Sequence, residues 1–155
     1  MRGSYILLVR LAAEKDILIG RLGYIPFPKA SYAYVGSAMN GFKARLAHHL
    51  REGKKFHWHI DYLLKEAEIE EIILCQGEKM VECTVAQALA GEFQSIPGFG
   101  ASDCRCRSHL YFADEKDRLK ARVAEGVKQA GLAHEIFSRM FDCYPAPERI
   151  EGEEA

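Results

Sequence analysis

The rhythm of apolar and polar positions changes several times along this chain, and each change marks an element. Residues 5–11 (YILLVRL) are nearly continuous apolar with β-branched and aromatic members, which predicts a strand covered on both faces and central in its sheet. After the polar stretch 13–16, the short apolar run 17–19 with Gly20 and Gly23 behind it predicts a hairpin, and Pro26 and Pro28 confine the next stretch to an edge or a turn. Residues 31–35 form a second expected strand, with Tyr32 and Tyr34 on one face, Ala33 and Val35 on the other, and Gly36 ending it.

From Asn40 the period lengthens. Phe42, Leu46 and Leu50 recur every four residues, which predicts a helix to about Arg51 with a stop at Gly53 and places Arg45 and His49 on one helical face. Residues 58–66 suggest a second, shorter helix, 68–75 a third strand, and 80–89 a helix closed by Gly91. Residues 95–102 are turn-rich, 103–108 form a polar Cys/Arg segment, and 110–112 have the composition of an edge strand. A long helix from Asp114 toward Ala130 is broken by Gly131, and a last helix is expected over 133–142 before Pro145 and Pro147. The order β-β-α-α-β-α implies a small sheet with helices packed on it. The chain thus divides into a sheet domain over 1–112, a helical extension packed on it over 113–144, and a flexible acidic tail over 145–155.

At 155 residues the chain is long enough for one core with an appendage. No apolar run approaches the length needed to cross a bilayer, and the first residues show no small-residue cleavage pattern, so a cytoplasmic protein without a membrane partner is expected. Five cysteines, an odd number spread from Cys75 to Cys143, suggest reduced thiols rather than a disulfide framework. A net charge of -1 gives no global pull toward nucleic acid, but its distribution does. Lys43, Arg45, Arg51, Lys54 and Lys55 lie with His48, His49, His57 and His59 against the single Glu52, a local patch suited to phosphates.

That patch offers chemistry. Arg45 can hold a phosphate through two parallel hydrogen bonds, and His49, one turn on, can bind the phosphate or pass a proton. Tyr5 and Tyr34 are poor bases at their ordinary pKa, but an arginine and a bound cation favour phenolate. Glu82, on an otherwise apolar helix, is the carboxylate candidate for a divalent ion. Each residue has a plainer alternative: core tyrosines, a solvated helix face, and an acid favoured by the helix dipole. His57, His59 and Asp61 alternate, and they can bind metal or brace the arginine. Cys104, Cys106 and His109 offer three soft ligands able to join His57 or His59 around zinc; Cys104 as a reactive thiol beside arginines is the alternative. Cys75, Cys83 and Cys143 read as plain core or surface thiols.

Gly3-Ser4-Tyr5, Tyr34-Val35-Gly36, Arg45-Leu-Ala-His-His49 and Glu82 succeed one another on matching elements, and in this the stretch from about 3 to 92 resembles the GIY-YIG nuclease superfamily. Within it the chain is most similar to a subgroup that occurs alongside endonuclease III-type repair enzymes, marked by the segments 56–61 and 103–109. The resemblance implies an α+β fold: a small three-stranded, mainly antiparallel sheet flanked by helices, here with an added hairpin and C-terminal helices. It implies a metal-dependent endonuclease hydrolysing DNA, with Tyr5, Tyr34, Arg45 and His49 catalytic, Gly36, Ser37, Lys43, His57 and His59 around the substrate, and Glu82 holding magnesium or manganese. It also implies structured or damaged DNA as substrate and a base-excision repair partner. The chain departs from the pattern in the long interval between its tyrosine motifs and in Gln94, where many members have asparagine. A catalytically idle nucleic-acid-binding module and a zinc-stabilised interaction domain are the alternative readings.

Overall fold

The computed structural model describes residues 3–38, 41–51, 53, 55–77, 81–101, 104–131 and 135–138. Three long strands make the centre: β1 (Gly3–Leu11), β4 (Ala30–Ala38) and β5 (Glu68–Gln76). Between the first two, β2 (Lys15–Leu18) and β3 (Tyr24–Phe27) form the expected hairpin as a separate two-stranded sheet, turned by a 3-10 turn at Gly20–Leu22. Short strands widen the main sheet to six: β6 (Gln94–Ser95), β7 (Leu110–Ala113) and β8 (Glu135–Ser138), in the order β6-β7-β4-β1-β5-β8, every described pairing antiparallel. The fold is thus α+β, a mainly antiparallel sheet flanked by helices.

β1 is central because both its faces are apolar. Tyr5, Leu7 and Val9 enter one core with Tyr32 and Tyr34, under the hairpin, α1 (Phe42–Leu50) and α2 (His59–Leu64). Ile6 and Leu8 enter a second with Ala33 and Val35, under α3 (Glu82–Ala90) and α4 (Lys116–Gln129). The alternation expected for Tyr32 to Val35 is therefore what splits the molecule into two cores. On the second face α4 packs on α3, and its Lys116 and Lys120 hold Glu71 of β5 at 2.6 and 2.8 Å. Burial pushes the Glu71 carboxyl up, but these lysines outweigh it and its pKa falls below the usual value.

Two local expectations are corrected. Gly36 does not end β4; it is an interior residue paired with Tyr5. A Cβ there would come within 2.5 Å of the Tyr5 ring, so the glycine serves a close approach rather than a turn. Part of the stretch expected as a last helix, Glu135–Ser138, is instead a strand on the open edge of β5, where an unpaired ladder accepts it; the rest of 133–142 lies outside the described residues. The tail from 145 and the apolar helix start at Met80 lie outside them too.

Candidate functional site

The chemistry-bearing side chains fall into two groups, one on each face of the sheet. In the first, Tyr5 of β1 and Tyr34 of β4 turn toward α1, their ring centroids 6.3 Å apart. The helical spacing of Arg45 and His49 delivers both to these phenols. The Tyr5 hydroxyl and His49 Nε2 are 2.6 Å apart, and Arg45 reaches the same phenol while its guanidinium lies 4.3 Å over the Trp58 ring. Four residues expected together from the sequence are together.

Their protonation differs from expectation. Burial lifts the Tyr5 phenol well above its ordinary value and pushes Tyr34 up to about 12, while Arg45 pulls both down by less. Desolvation wins over the arginine, so both phenols are protonated at neutral pH instead of poised as phenolates.

Asp61 organises this face. Its Oδ2 accepts the N–H groups of His57 at 2.7 Å and Trp58 at 3.0 Å, capping the first turn of α2, and lies 3.0 Å from His48 Nε2. Its Oδ1 is 3.9 Å from His49 Nδ1. Burial raises its pKa, but the backbone donors and His48 bring the net below the usual carboxylate value. The acid therefore braces two histidines and not the arginine. His57 is exposed beside His48. His59 Nδ1 accepts the N–H of Gly100 at 2.8 Å, and burial lowers its pKa. Lys43 is partly exposed on α1, whereas Ser37, expected beside the substrate, pairs with Ser4 and turns to the face of the sheet opposite Tyr34; Lys54 and Glu52 lie outside the described residues.

The second group sits across the sheet. Glu82 opens α3 and accepts the Ser4 hydroxyl at 3.1 Å, while that hydroxyl accepts the Val81 N–H at 3.2 Å. Ser4 and Tyr5 are consecutive on a strand and so face opposite ways. The structure thus leaves Glu82 out of the phenol cluster. It places Glu82 beside Cys83, Cys104, Cys106 and His109, whose ligand atoms all lie within 4.8 Å of one another and could hold a metal ion. Cys104 Sγ is 3.3 Å and Cys83 Sγ 4.0 Å from His109 Nε2. Burial and the adjacent thiols push Cys106 up to about 12, and burial raises Cys83; a cation relieves such crowding by taking the sulfurs as thiolates.

Cys104, Cys106 and His109 were legible in sequence; the fourth member was not. The position expected from His57 or His59 belongs to Cys83, which comes from a different core helix and has no CxxC partner to advertise it. Cys75, as expected, is a buried core thiol, raised by burial to about 11. Cys143 lies outside the described residues.

Fold and sites together define a small α+β domain with a buried phenol–imidazole–guanidinium cluster on one face of its sheet and, on the other, a Cys/His cluster able to hold a metal ion. A family model described as a domain of unknown function, DUF123, matches residues 4–132, and the chain belongs to that family. No curated protein and no solved structure matches the chain. Among the described residues no helix is long and apolar enough to cross a membrane.

Proposed function

We propose that the chain is a GIY-YIG-type endonuclease that hydrolyses phosphodiester bonds of DNA, with Tyr5, Tyr34, Arg45 and His49 as its chemical centre. One observation carries this reading: residues from positions 5, 34, 45 and 49 converge, with a 2.6 Å contact between the Tyr5 hydroxyl and the His49 imidazole and a guanidinium on the same phenol. Arg45 would pair with two phosphate oxygens and neutralise charge building on the phosphorus. A buried neutral phenol is a relay rather than a base: Tyr5 takes a proton from the attacking water as it gives its own to His49 Nε2. The water oxygen bonds to phosphorus, the bond to the leaving strand oxygen breaks, and that oxygen is protonated from solvent. Asp61 then faces the imidazolium, as the acid of a catalytic triad does.

Magnesium or manganese enters this reading only through the resemblance, since the acid expected to hold it, Glu82, is bonded to Ser4 on the other face. That placement favours a second reading, in which the cluster binds nucleic acid without cutting it. A repair setting and a cytoplasmic location belong to the same proposal; the free thiols accord with a reducing compartment. For the Cys/His cluster, the donor set favours zinc. Cys83, Cys104, Cys106 and His109 would hold such an ion through three sulfurs and one imidazole, a donor set suited to a structural rather than a catalytic site.

Nicking of supercoiled plasmid and branched DNA, with and without magnesium or manganese, tests the proposal. Arg45→Ala and His49→Ala, each verified as folded, are expected to lower cleavage by about 100-fold or more. Glu82→Gln leaves cutting intact if the cluster works alone. Salt-sensitive binding without any cutting selects the second reading, and the absence of both removes the two together.

A further inference from the structure

The Cys/His cluster draws its sulfurs from two separate elements. Cys83 lies in the first turn of α3, while Cys104 and Cys106 belong to the segment that leads into β7. The three sulfurs and the His109 nitrogen all lie within 4.8 Å of one another, so each thiol is in reach of the other two. Cys104 is drawn to one side, with its Sγ 3.3 Å from His109 Nε2 and 3.9 Å from the Ala101 carbonyl. The His109 ring is itself held by a bond to the Val35 backbone, and the Val35 N–H donates to the His109 carbonyl at 2.9 Å. Cys83 and Cys106 hydrogen-bond to each other across the junction between α3 and the segment, and each perturbs the other more than any other side chain does.

None of the three is sealed from solvent. Cys83, Cys104 and Cys106 are part-exposed, and exposed Arg105 and Arg107 stand on either side of Cys106 in sequence. Cys75, in the same core, is wholly buried. A small oxidant therefore reaches the cluster and does not reach Cys75. An ion held there takes its sulfurs as thiolates, the form that attacks an oxidant, and neighbouring guanidinium groups favour the same form.

We propose that the cluster is also a peroxide-sensitive modification site, at which Cys83 and Cys106 join in a disulfide, a step that rests on the metal reading above for its thiolates. Cys106, between the two arginines, attacks hydrogen peroxide: an S–O bond forms, the O–O bond breaks, and the departing hydroxide takes a proton from solvent to leave as water. The Cys83 thiolate then attacks the sulfenic sulfur. The S–S bond forms, the S–O bond breaks, and the second hydroxide leaves as water in the same way. The two sulfurs give up two electrons, and the two peroxide oxygens accept them. Sulfurs of a disulfide carry no charge, and Cys104 with His109 cannot close a tetrahedral site alone, so the ion is released. The segment is then tied to α3 by one covalent bond instead of through a shared ion, with Cys104 and His109 set free.

Zinc content, free thiols and the disulfide map of the intact chain, measured before and after hydrogen peroxide in modest excess, test it. The free thiols are expected to fall by two per chain, with about one zinc released for each bond formed and Cys75 left reduced. Dithiothreitol with added zinc is expected to restore both counts. Proteolysis after Glu92 and Arg105 separates the three cysteines, so the mass of the linked peptides identifies the Cys83–Cys106 bond, and non-reducing electrophoresis shows it to lie within one chain. A bond involving any other cysteine, a bond between chains, sulfinic acid in place of the bond, or thiols that stay unreacted overturns the proposal. Zinc that remains bound beside unreacted thiols would sink this step and leave the metal reading standing. A Cys83–Cys106 bond formed in a chain purified without zinc would sink the metal reading and leave the modification site.

Discussion

Gly36 shows how a single missing side chain holds the site together. Its pairing with Tyr5 lays the phenol where a Cβ would stand, 2.5 Å from Cζ and 2.6 Å from the hydroxyl, and the ring is fully buried and fixed against His49. It cannot swing away. Gly36→Ala is therefore expected to destabilise the fold by about 1–3 kcal/mol in denaturant unfolding, and by much less in a Tyr5→Ala background where the obstruction is gone. Asp61 gives a second residue-scale expectation. Its folded pKa lies below the ordinary 3.8, so the folded chain binds fewer protons than the unfolded one as acid is added. Its contribution is complete above that ordinary value and drains away as pH falls through the folded one. The stability gap between wild type and Asp61→Asn should consequently be widest near neutrality and shrink as pH falls below the ordinary carboxylate value, as measured by unfolding midpoints. Sequence reasoning found Tyr5, Arg45 and His49 because helical and strand periods fix their faces. It offered Asp61 only as a metal ligand or a brace on the arginine, because the turn that wraps backbone N–H groups around the carboxylate is a local geometry with no period.

At the scale of elements, periodicity made some of the fold legible and tertiary demand hid the rest. The strands at 3–11 and 68–76 and helices α1, α3 and α4 lie where the apolar spacing put them. β8 does not, since the open edge of β5 accepts a segment whose composition suits either state. The packing of α4 on α3 depends on Gly126, where a Cβ would stand 3.2 Å from the Ala88 Cβ and 3.3 Å from the Val85 Cα. Backbone that close has no room to yield. Gly126→Leu, although favourable to a helix in isolation, is expected to lower stability by about 1–3 kcal/mol and to increase hydrogen exchange in α4 before it does so in β1.

Across the whole molecule, the segment between α3 and β7 joins the two faces of the sheet. Phe99 and Ile96 are buried in the core under α1 and α2, and Gly100 donates to His59 there, yet His109, Cys104 and Cys106 meet Cys83 at the start of α3 on the other face. The segment is fixed at its base by Ser108, whose hydroxyl donates to the Ile96 carbonyl at 2.6 Å and accepts the Leu110 N–H at 2.9 Å. A metal ion at the Cys/His cluster would thus fasten, from behind, the loop that supports His59 and the phenol face in front. The two cores on either side of β1 do not depend on it, unlike a zinc finger that has no other core. Purified protein is accordingly expected to carry about one zinc per chain, lost on Cys104→Ser. Chelation should leave the circular dichroism of the sheet and helices in place, lower the melting temperature, and open hydrogen exchange across residues 96–109 while β1, β4 and β5 stay protected. If the phenol face binds nucleic acid as proposed, that binding should weaken with it, although none of the four clustered ligands lies on that face. If chelation unfolds the entire chain, the cluster is a nucleus of the fold rather than a clasp; if residues 96–109 exchange no faster, it holds nothing in place.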